Sequence, residues 1–295
     1  MKIAIYGTHF DSSFTPYIKE LLQRLIKEDV LLYIYTPFYG FLTESGCGSF
    51  KCNRFTTEDE APEDIDFLIS VGGDGTFLSS MLFLKSSKIP VIGLNSGRLG
   101  FLANIGKEEI NKAFDAIFSG DYAIEKRSLL RVESDIDLFD GFNFALNEVS
   151  VQKSDSSLIS VDAWLNDEFL NTYWTDGLII STPTGSTAYS LSVGGPIVAP
   201  GSNNFTLAPI ASHNLTVRPI VVPDDVQIRL EVKTRSESFL VTVDNRKQEL
   251  KLKLKNNIIH IRKSKFELKM LKLPFNNYYA TLRNKLMWGM DKRNY

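Results

Sequence analysis

A glycine-rich turn between an apolar run and a helix is the feature that most constrains this sequence. The run Asp66–Ile69 is typical of a buried strand, and the turn Ser70–Thr76 follows it directly. The next segment, Phe77–Leu84, has the apolar spacing of a helix. Three glycines and one carboxylate therefore lie where a parallel strand passes into a helix. Open α/β sheets bind ligands at this position, outside the carboxyl ends of their strands.

The residue types in this turn favour a phosphate ligand. Glycines allow backbone N–H groups to approach a polyphosphate closely, and a helix start adds free donors and a favourable dipole. Asp74 could hold Mg²⁺ through water or accept a proton from an attacking hydroxyl, and both roles belong to phosphoryl transfer. The alternative is a simple strand-to-helix turn in which Asp74 caps the helix. The turn is not a Walker A loop, and Leu78 stands where the dinucleotide fingerprint needs its third glycine.

The segments before this turn predict a doubly wound, mostly parallel α/β sheet. Residues 2–6 read as a strand, residues 15–27 as a helix with an apolar stripe, and residues 31–35 as a second strand. Residues 37–64 contain several glycines and prolines that break the periodicity. We predict a long, irregular surface excursion there.

A second glycine-rich turn follows the next predicted strand. Residues 90–95 form that strand, and the turn spans residues 96–103. Two such turns after adjacent strands can face each other across one crevice. Arg98 in the second turn could then meet phosphate, although an exposed surface arginine is an equally good interpretation.

The pattern changes near residue 122 to many short strands at close spacing, which predicts an all-β, sandwich-like domain. The tail has aromatic and leucine residues that fit one face of a short helix. We therefore expect an α/β domain over residues 1–122, a β-sandwich over 123–271, and a C-terminal segment over 272–295 that packs back on the first domain.

Composition narrows the class of partner. The 295 residues suggest two domains, and the net charge of −2 gives no general affinity for nucleic acid. No apolar run approaches the length that spans a membrane, and the first residues read as a strand, not a signal peptide. Cys47 and Cys52 have a poor spacing for a metal site and favour two free thiols in a reducing cytoplasm.

A second group of polar residues lies in the C-terminal half. A strand runs into the hydroxyl-rich turn Thr182–Thr187, which suits the ribose hydroxyls and phosphates of a nucleoside, and Tyr189 could stack on a base. Asn147 and Glu148 follow an apolar segment and could bind a vicinal diol. A polar helix start and a polar strand end without a ligand are the alternatives.

On these motifs the chain resembles the NAD kinase family. The turn from Gly72 to Thr76 is shared with a wider superfamily of kinases. The more specific matches are Asn147-Glu148, the block Thr175–Ile197, and Ser212–Leu215 leading to Arg218–Pro223. The resemblance implies transfer of the γ-phosphate of ATP to the 2′-hydroxyl of the adenosine ribose of NAD, giving NADP.

The resemblance also implies roles for individual residues. Asp74 would be the general base. The residues that would contact the dinucleotide are Gly75, Asn147, Glu148, Asp176, Thr187, Ala188, Tyr189, Ser192 and Asn245. By family analogy the cofactor would be a divalent metal, Mg²⁺, with ATP or polyphosphate as the donor. The family fold pairs an α/β domain with a β-sandwich, and the chains assemble as dimers or tetramers whose sites borrow residues across an interface.

The sequence departs from many relatives at three places. It has no basic residue between Thr76 and Lys85, and it has Asp244-Asn245-Arg246 where many relatives have Asp-Gly-Gln. It also has Ala211-Ser212 before the histidine where relatives often have Cys-Pro. Two other functions stay open at this point. A lipid kinase of the diacylglycerol or sphingosine type shares the first turn but does not explain the block after Thr175. A non-catalytic dinucleotide sensor would keep the pockets without needing Asp74 or a metal.

Overall fold

The chain divides into two units in the computed structural model. The described residues are 1–57, 60, 64–84, 89–252 and 257–289. Unit 1 comprises Met1–Glu125 and Lys269–Tyr295, and unit 2 comprises Lys126–Leu268. No helix among the described residues is long and apolar enough to cross a membrane.

A seven-stranded sheet forms the centre of unit 1. Its strands are β1 (Lys2–Gly7), β2 (Leu31–Tyr35), β3 (Asn53–Phe55), β4 (Phe67–Gly72), β5 (Val91–Asn95), β6 (Ala123–Arg127) and β19 (Leu268–Lys272). Their order is β3-β2-β1-β4-β5-β19-β6, and strands β1 to β5 pair in parallel. This confirms the predicted α/β class. Because β4 and β5 are neighbours, the two glycine-rich turns that follow them lie at the same edge of the sheet.

The helices of unit 1 follow the apolar periodicity of the sequence. They are α1 (Thr15–Lys27), α2 (Thr36–Leu42), α3 (Asp74–Ser80), α4 (Ile110–Ser119) and α6 (Tyr278–Leu286). In α1, Pro16 lies in the first turn and the stripe that includes Ile18 and Leu25 is buried.

The prediction of an irregular surface excursion over residues 37–64 is wrong for much of that segment. Its first part forms α2 and a π-helical turn over Thr43–Cys47, and its middle forms β3. Phe38, Leu42 and Phe55 are almost fully buried. Burial of these apolar side chains stabilises the helix and the strand. The glycines and prolines between them break the apolar periodicity, so the pattern did not predict these elements. The acidic residues Glu58, Asp59 and Glu63 lie outside the described residues.

Two six-stranded antiparallel sheets form unit 2 and confirm the predicted all-β part of the fold. Their strands are β7 (Leu130–Glu133), β8 (Phe144–Ala145), β9 (Glu148–Lys153), β10 (Ile159–Leu165), β11 (Glu168–Thr175), β12 (Gly177–Ser181), β13 (Asn204–Ile210), β14 (Ile220–Pro223), β15 (Ile228–Thr234), β16 (Ser238–Val243), β17 (Arg246–Lys251) and β18 (Ile258–Lys263). One sheet has the order β11-β10-β15-β18-β7-β8, and the other has the order β14-β13-β12-β9-β16-β17. A short helix, α5 (Tyr189–Ser192), follows a 3₁₀ turn over Thr184–Thr187.

Apolar side chains of both sheets form the core of unit 2. Alternate residues of β9, β12 and β16 contribute their side chains to this core, as in Val149, Ile180 and Val241. The packed strands hold the loops at their ends in fixed positions. One of these loops contains Asn147 and leads into Glu148.

Candidate functional site

The first glycine-rich turn leads directly from β4 into α3. Gly72 has a φ of 154°, and a Cβ there would lie 2.3 Å from Oγ1 of Thr76. Glycine is therefore required at this position. Gly73 precedes the first residue of α3, which is Asp74. The backbone around Gly73 and Gly75 is open enough that a Cβ at either position would meet nothing within 4 Å.

Asp74 does not cap its own helix. Its carboxylate instead accepts hydrogen bonds from the backbone of the second glycine-rich turn. Oδ2 accepts from the N–H of Phe101 at 2.9 Å, and Oδ1 accepts from those of Leu102 and Ala103, each at 2.9 Å. Three consecutive donors hold the carboxylate, which is 30% exposed, in one orientation.

The second turn is shaped to receive that carboxylate. A Cβ on Gly100 would lie 2.0 Å from Oδ1 of Asp74, so the close approach needs glycine. The side chain of Asn95 donates to the carbonyls of Arg98 at 2.8 Å and Ala103 at 3.1 Å and accepts from the N–H of Gly97. Asn95 was not singled out by the sequence analysis. Its position could have indicated a role, because Asn95 is the last residue of β5 and directly precedes the second glycine-rich turn.

In unit 2, the loop before β9 and the hydroxyl-rich turn after β12 are bonded to each other. Ser181 pairs with Glu148 in the sheet register. The carbonyl of Asn147 accepts from the N–H of Thr182 at 2.9 Å. A Cβ on Gly185 would lie 2.1 Å from the same carbonyl oxygen. The structure therefore brings together two segments that the sequence analysis treated separately.

Asp244 fixes the backbone of this loop. It lies in the turn between β16 and β17 with a φ of 54°. Its carboxylate accepts from the N–H groups of Leu146 at 2.8 Å, Asn147 at 2.8 Å and Glu148 at 3.2 Å. The sequence analysis predicted a role for its neighbour Asn245, which is exposed in the same turn. It missed Asp244, because a bond to residues 96–98 positions away leaves no local signal.

Glu148 is an almost completely enclosed carboxyl group. It is 8% exposed, and its Oε2 has no hydrogen-bond partner among the described residues. Burial first, and then the charge of Asp244, raise the pKa of Glu148 to about 8, against a smaller opposing effect from the N–H of Tyr189. Burial also raises the pKa of Asp244, to about 6, although three backbone N–H groups act against it. Glu148 is therefore the member of the pair that keeps its proton at neutral pH, where it can donate a hydrogen bond.

This titration predicts a stability change with pH. The ordinary pKa of Glu148 is 4.5, and in the folded chain it is about 8. Its contribution to stability is therefore fully present below pH about 4.5 and is lost as pH rises through about 8. We expect the free energy of unfolding to fall by up to about 1.4 kcal/mol per pH unit within this window. Urea unfolding of wild type and Glu148→Gln at pH 6, 7, 8 and 9 measures it.

The matched variant separates this titration from that of other groups. Glutamine has nearly the same shape and no charge to lose, so Glu148→Gln should become more stable relative to wild type as pH rises. The difference between the two curves reports the coupled Glu148–Asp244 pair. Parallel curves from pH 6 to 9 would contradict the raised pKa.

The residues of the predicted adenosine pocket lie around the end of β12. Thr187 ends the 3₁₀ turn, Ala188 joins it to α5, and Tyr189 and Ser192 are the first and last residues of α5. Tyr189 is 39% exposed, so a face of its ring is open to a ligand, and its backbone N–H bonds to Glu148. These four residues and the Asn147-Glu148 pair therefore belong to one neighbourhood.

Asp176 lies away from that neighbourhood within the chain. It precedes β12, whereas Glu148 pairs with Ser181 at the other end of the same strand. Five residues of strand separate Asp176 from Ser181, roughly 17 Å. Nζ of Lys153 lies 2.7 Å from Oδ1 of Asp176 and forms an ion pair with it. The structure does not bring Asp176 together with the other predicted dinucleotide contacts of one chain.

No group of three or more His, Cys, Asp or Glu side chains among the described residues could hold a metal ion by itself. Mg²⁺ in phosphoryl-transfer sites is usually bound by one or two carboxylates together with substrate phosphates. Asp74 in the first glycine-rich turn is a single, part-exposed carboxylate of the kind that the second arrangement uses.

Comparison with known proteins agrees with this geometry. The chain is 42% identical over 297 aligned residues to the NAD kinase of Flavobacterium psychrophilum, and the alignment covers 100% of both chains. It is 39% identical to the NAD kinase of Bacteroides fragilis strain YCH46, with 99% of this chain and 100% of the relative covered.

Two solved structures share the fold. A yeast NADH kinase complexed with NADH superposes with a TM-score of 0.85 at 22% identity, covering 99% of this chain and 88% of that one. An NAD kinase from Archaeoglobus fulgidus in complex with ATP superposes with a TM-score of 0.72 at 25% identity, covering 97% and 98%. The family models for the N-terminal and C-terminal domains of ATP-NAD kinase match residues 34–122 and 146–273. With both domains matched and full-length relatives at about 40% identity, the chain belongs to the NAD kinase family.

Proposed function

We propose that this chain is an NAD kinase that transfers the γ-phosphate of ATP to the 2′-hydroxyl of the adenosine ribose of NAD. The observation that carries the proposal is the fixed carboxylate of Asp74 in a glycine-rich turn at the carboxyl end of β4. The full-length similarity to NAD kinases supports the same reaction. The products are NADP and ADP.

Asp74 acts as the general base in this proposal. A ribose hydroxyl has a pKa far above 7, so a carboxylate helps only as the proton leaves in the transition state. The 2′-oxygen forms a bond to the γ-phosphorus, the bond from that phosphorus to the β–γ bridging oxygen breaks, and the hydroxyl proton passes to Asp74. The N–H groups of Phe101 and Ala103 keep the carboxylate oriented for this transfer. Gly75, the next residue, contacts the dinucleotide.

The residues of unit 2 recognise the nucleoside. Asn147 and the protonated Glu148 bind ribose hydroxyls, and both residues lie where the loop before β9 meets the hydroxyl-rich turn after β12. Tyr189 stacks on the adenine ring, since its side chain is part-exposed, and Asn245 contacts the same ligand. Thr187, Ala188 and Ser192 line the rest of the pocket.

We also propose an oligomeric state, a metal ion and a cellular compartment for this chain. Because Asp176 lies at the far end of β12, we infer that it serves the site of a second copy in a homodimer or homotetramer. Mg²⁺ would be held by the donor phosphates and, through water, by Asp74, and it would neutralise phosphate charge. The two free cysteines, Cys47 and Cys52, fit a reducing cytoplasm.

Formation of NADP from NAD, ATP and Mg²⁺ tests the reaction, read by coupling to an NADP-specific dehydrogenase. We expect NADP to accumulate in proportion to the ADP formed. Phosphorylation of diacylglycerol or sphingosine in place of NAD would show a lipid kinase instead. Binding of NAD without ATP consumption at any Mg²⁺ concentration, with polyphosphate also inactive as donor, would show a sensor.

A further inference from the structure

The C-terminal helix α6 places a cation beside Asp74. Nζ of Lys285 lies 3.5 Å from Oδ2 of Asp74, across 211 positions of the chain. The same ammonium lies 4.7 Å from the centre of the Phe101 ring. This ring belongs to the turn whose backbone N–H groups hold the carboxylate. Lys285 therefore contacts both glycine-rich turns of unit 1: Asp74 in the first and Phe101 in the second.

The packing of α6 fixes the position of that ammonium. Tyr278 and Lys285 are seven residues apart, two helical turns, and so lie on one face. The Tyr278 ring is 6.3 Å from the Phe101 ring, and Leu282 between them is 3% exposed. The side chain of Asn277 caps the start of the helix by accepting from the N–H of Tyr279 at 2.9 Å. The cation is thus built into the fold, while its side chain stays 35% exposed.

The charge around the glycine-rich turn explains why a cation is needed there. The segment from Asp66 to Leu84 contains two carboxylates and no lysine or arginine. A polyphosphate next to Asp74 would meet a like charge, which is unfavourable unless a cation lies between the two. Phosphoryl-transfer enzymes commonly place a lysine at the terminal phosphates for this reason. Lys285 lies where such a lysine would act.

We infer that Lys285 binds the terminal phosphates of the donor nucleotide, a role that rests on the proposed function. An ammonium has three N–H donors, so it can keep its contact with Asp74 and still donate to phosphate oxygens. It offsets the repulsion between the carboxylate and the donor, and it stabilises charge on the transferred group. The site then depends on a helix at the other end of the chain from the glycine-rich turn.

Three variants of the full chain test this role. Lys285→Gln removes the charge and keeps much of the length, Lys285→Arg keeps the charge, and Arg283→Gln removes a charge from an exposed position of the same helix. Calorimetric titrations with ATP, ADP and AMP in Mg²⁺ report binding, and initial rates at varied ATP report KM and kcat. We expect Lys285→Gln to weaken ATP binding by about 10- to 100-fold, ADP less, and AMP within twofold. Lys285→Arg should recover most of the loss, and Arg283→Gln should match wild type.

The inference would be overturned by ATP binding within twofold of wild type in Lys285→Gln. An equal loss of affinity for all three nucleotides would also overturn it, because a distorted turn would weaken ATP, ADP and AMP binding alike. The inference would likewise fail if Lys285→Arg bound ATP as weakly as Lys285→Gln does. The titrations do not depend on the acceptor: a chain that makes no NADP can still show the phosphate-dependent loss, and an active NAD kinase can lack it.

Discussion

Replacing Asp74 with asparagine is expected to lower kcat for NADP formation by about 10²–10⁴-fold while the chain stays folded. The amide cannot take the proton of the 2′-hydroxyl, so the contribution of general-base catalysis is lost. Its oxygen can still accept from the N–H groups of Leu102 and Ala103, as Oδ1 of Asp74 does. Initial rates at saturating NAD and ATP measure kcat, and a thermal unfolding scan checks the fold.

Asp74→Ala separates the two roles of this carboxylate. Alanine removes the base and also leaves the three N–H groups of the second turn without their acceptor, at a cost of about 1–3 kcal/mol. If Asp74 acts mainly in proton transfer, the two variants should have similar kcat values and differ in Tm. A kcat for Asp74→Asn close to wild type, with alanine alone inactive, would show that the carboxylate holds the turn and is not the base.

Local pattern was sufficient to predict the strand, turn and helix around Asp74. An apolar run, closely spaced glycines and an amphipathic segment mark a strand, a tight turn and a helix within about twenty residues. The parallel order of β4 and β5 then brings two such turns to one edge. The helix Thr15–Lys27 was equally visible, because Pro16 and a regular stripe mark its start and its buried face. These features depend only on neighbours along the chain.

Long-range contacts could not be predicted in this way. Ser150 of β9, for example, lies opposite Thr242 of β16, which is 92 positions away along the chain. The acceptors for the N–H groups of Phe101 and Leu146 are carboxylates 27 and 98 positions away. The residues next to an aspartate in the sequence do not indicate which distant backbone N–H groups will donate to its carboxylate.

The two sites share one physical device. In each unit, one aspartate accepts three consecutive backbone N–H groups from a segment at the candidate site: Asp74 does so for Phe101–Ala103, and Asp244 does so for Leu146–Glu148. A carboxylate has enough lone pairs for three donors and bonds to them more strongly than a neutral acceptor does. These bonds fix backbone that lies outside helices and strands, apart from Glu148, which begins β9. This rigidity is what a positioned ribose or phosphate contact requires.

Replacing Asp244 with alanine is expected to destabilise the chain more than replacing Asp74 with alanine. Three enclosed N–H groups lose their acceptor, and alanine is strained at a φ of 54°, where aspartate and asparagine are better tolerated. Together these terms should lower the free energy of unfolding by about 3–5 kcal/mol, a large part of the stability of a typical domain. Urea unfolding measures the loss, and rates of NADP formation should fall with it, because Asn147 and Glu148 are no longer held.

Two further variants test whether this loss has the stated cause. Asp244→Asn keeps the turn conformation and one acceptor oxygen, so it should lose about half as much stability as Asp244→Ala. It also removes the charge that helps to raise the pKa of Glu148, so the stability loss between pH 6 and 9 should become shallower. Asn245→Ala alters the exposed neighbour in the same turn and should cost less stability than Asp244→Ala, because Asn245 is not the acceptor of the three N–H groups. An alanine at 244 that costs no more stability than one at 245 would mean that the loop is held by the bonds of Thr182 to Leu146 and Asn147 instead.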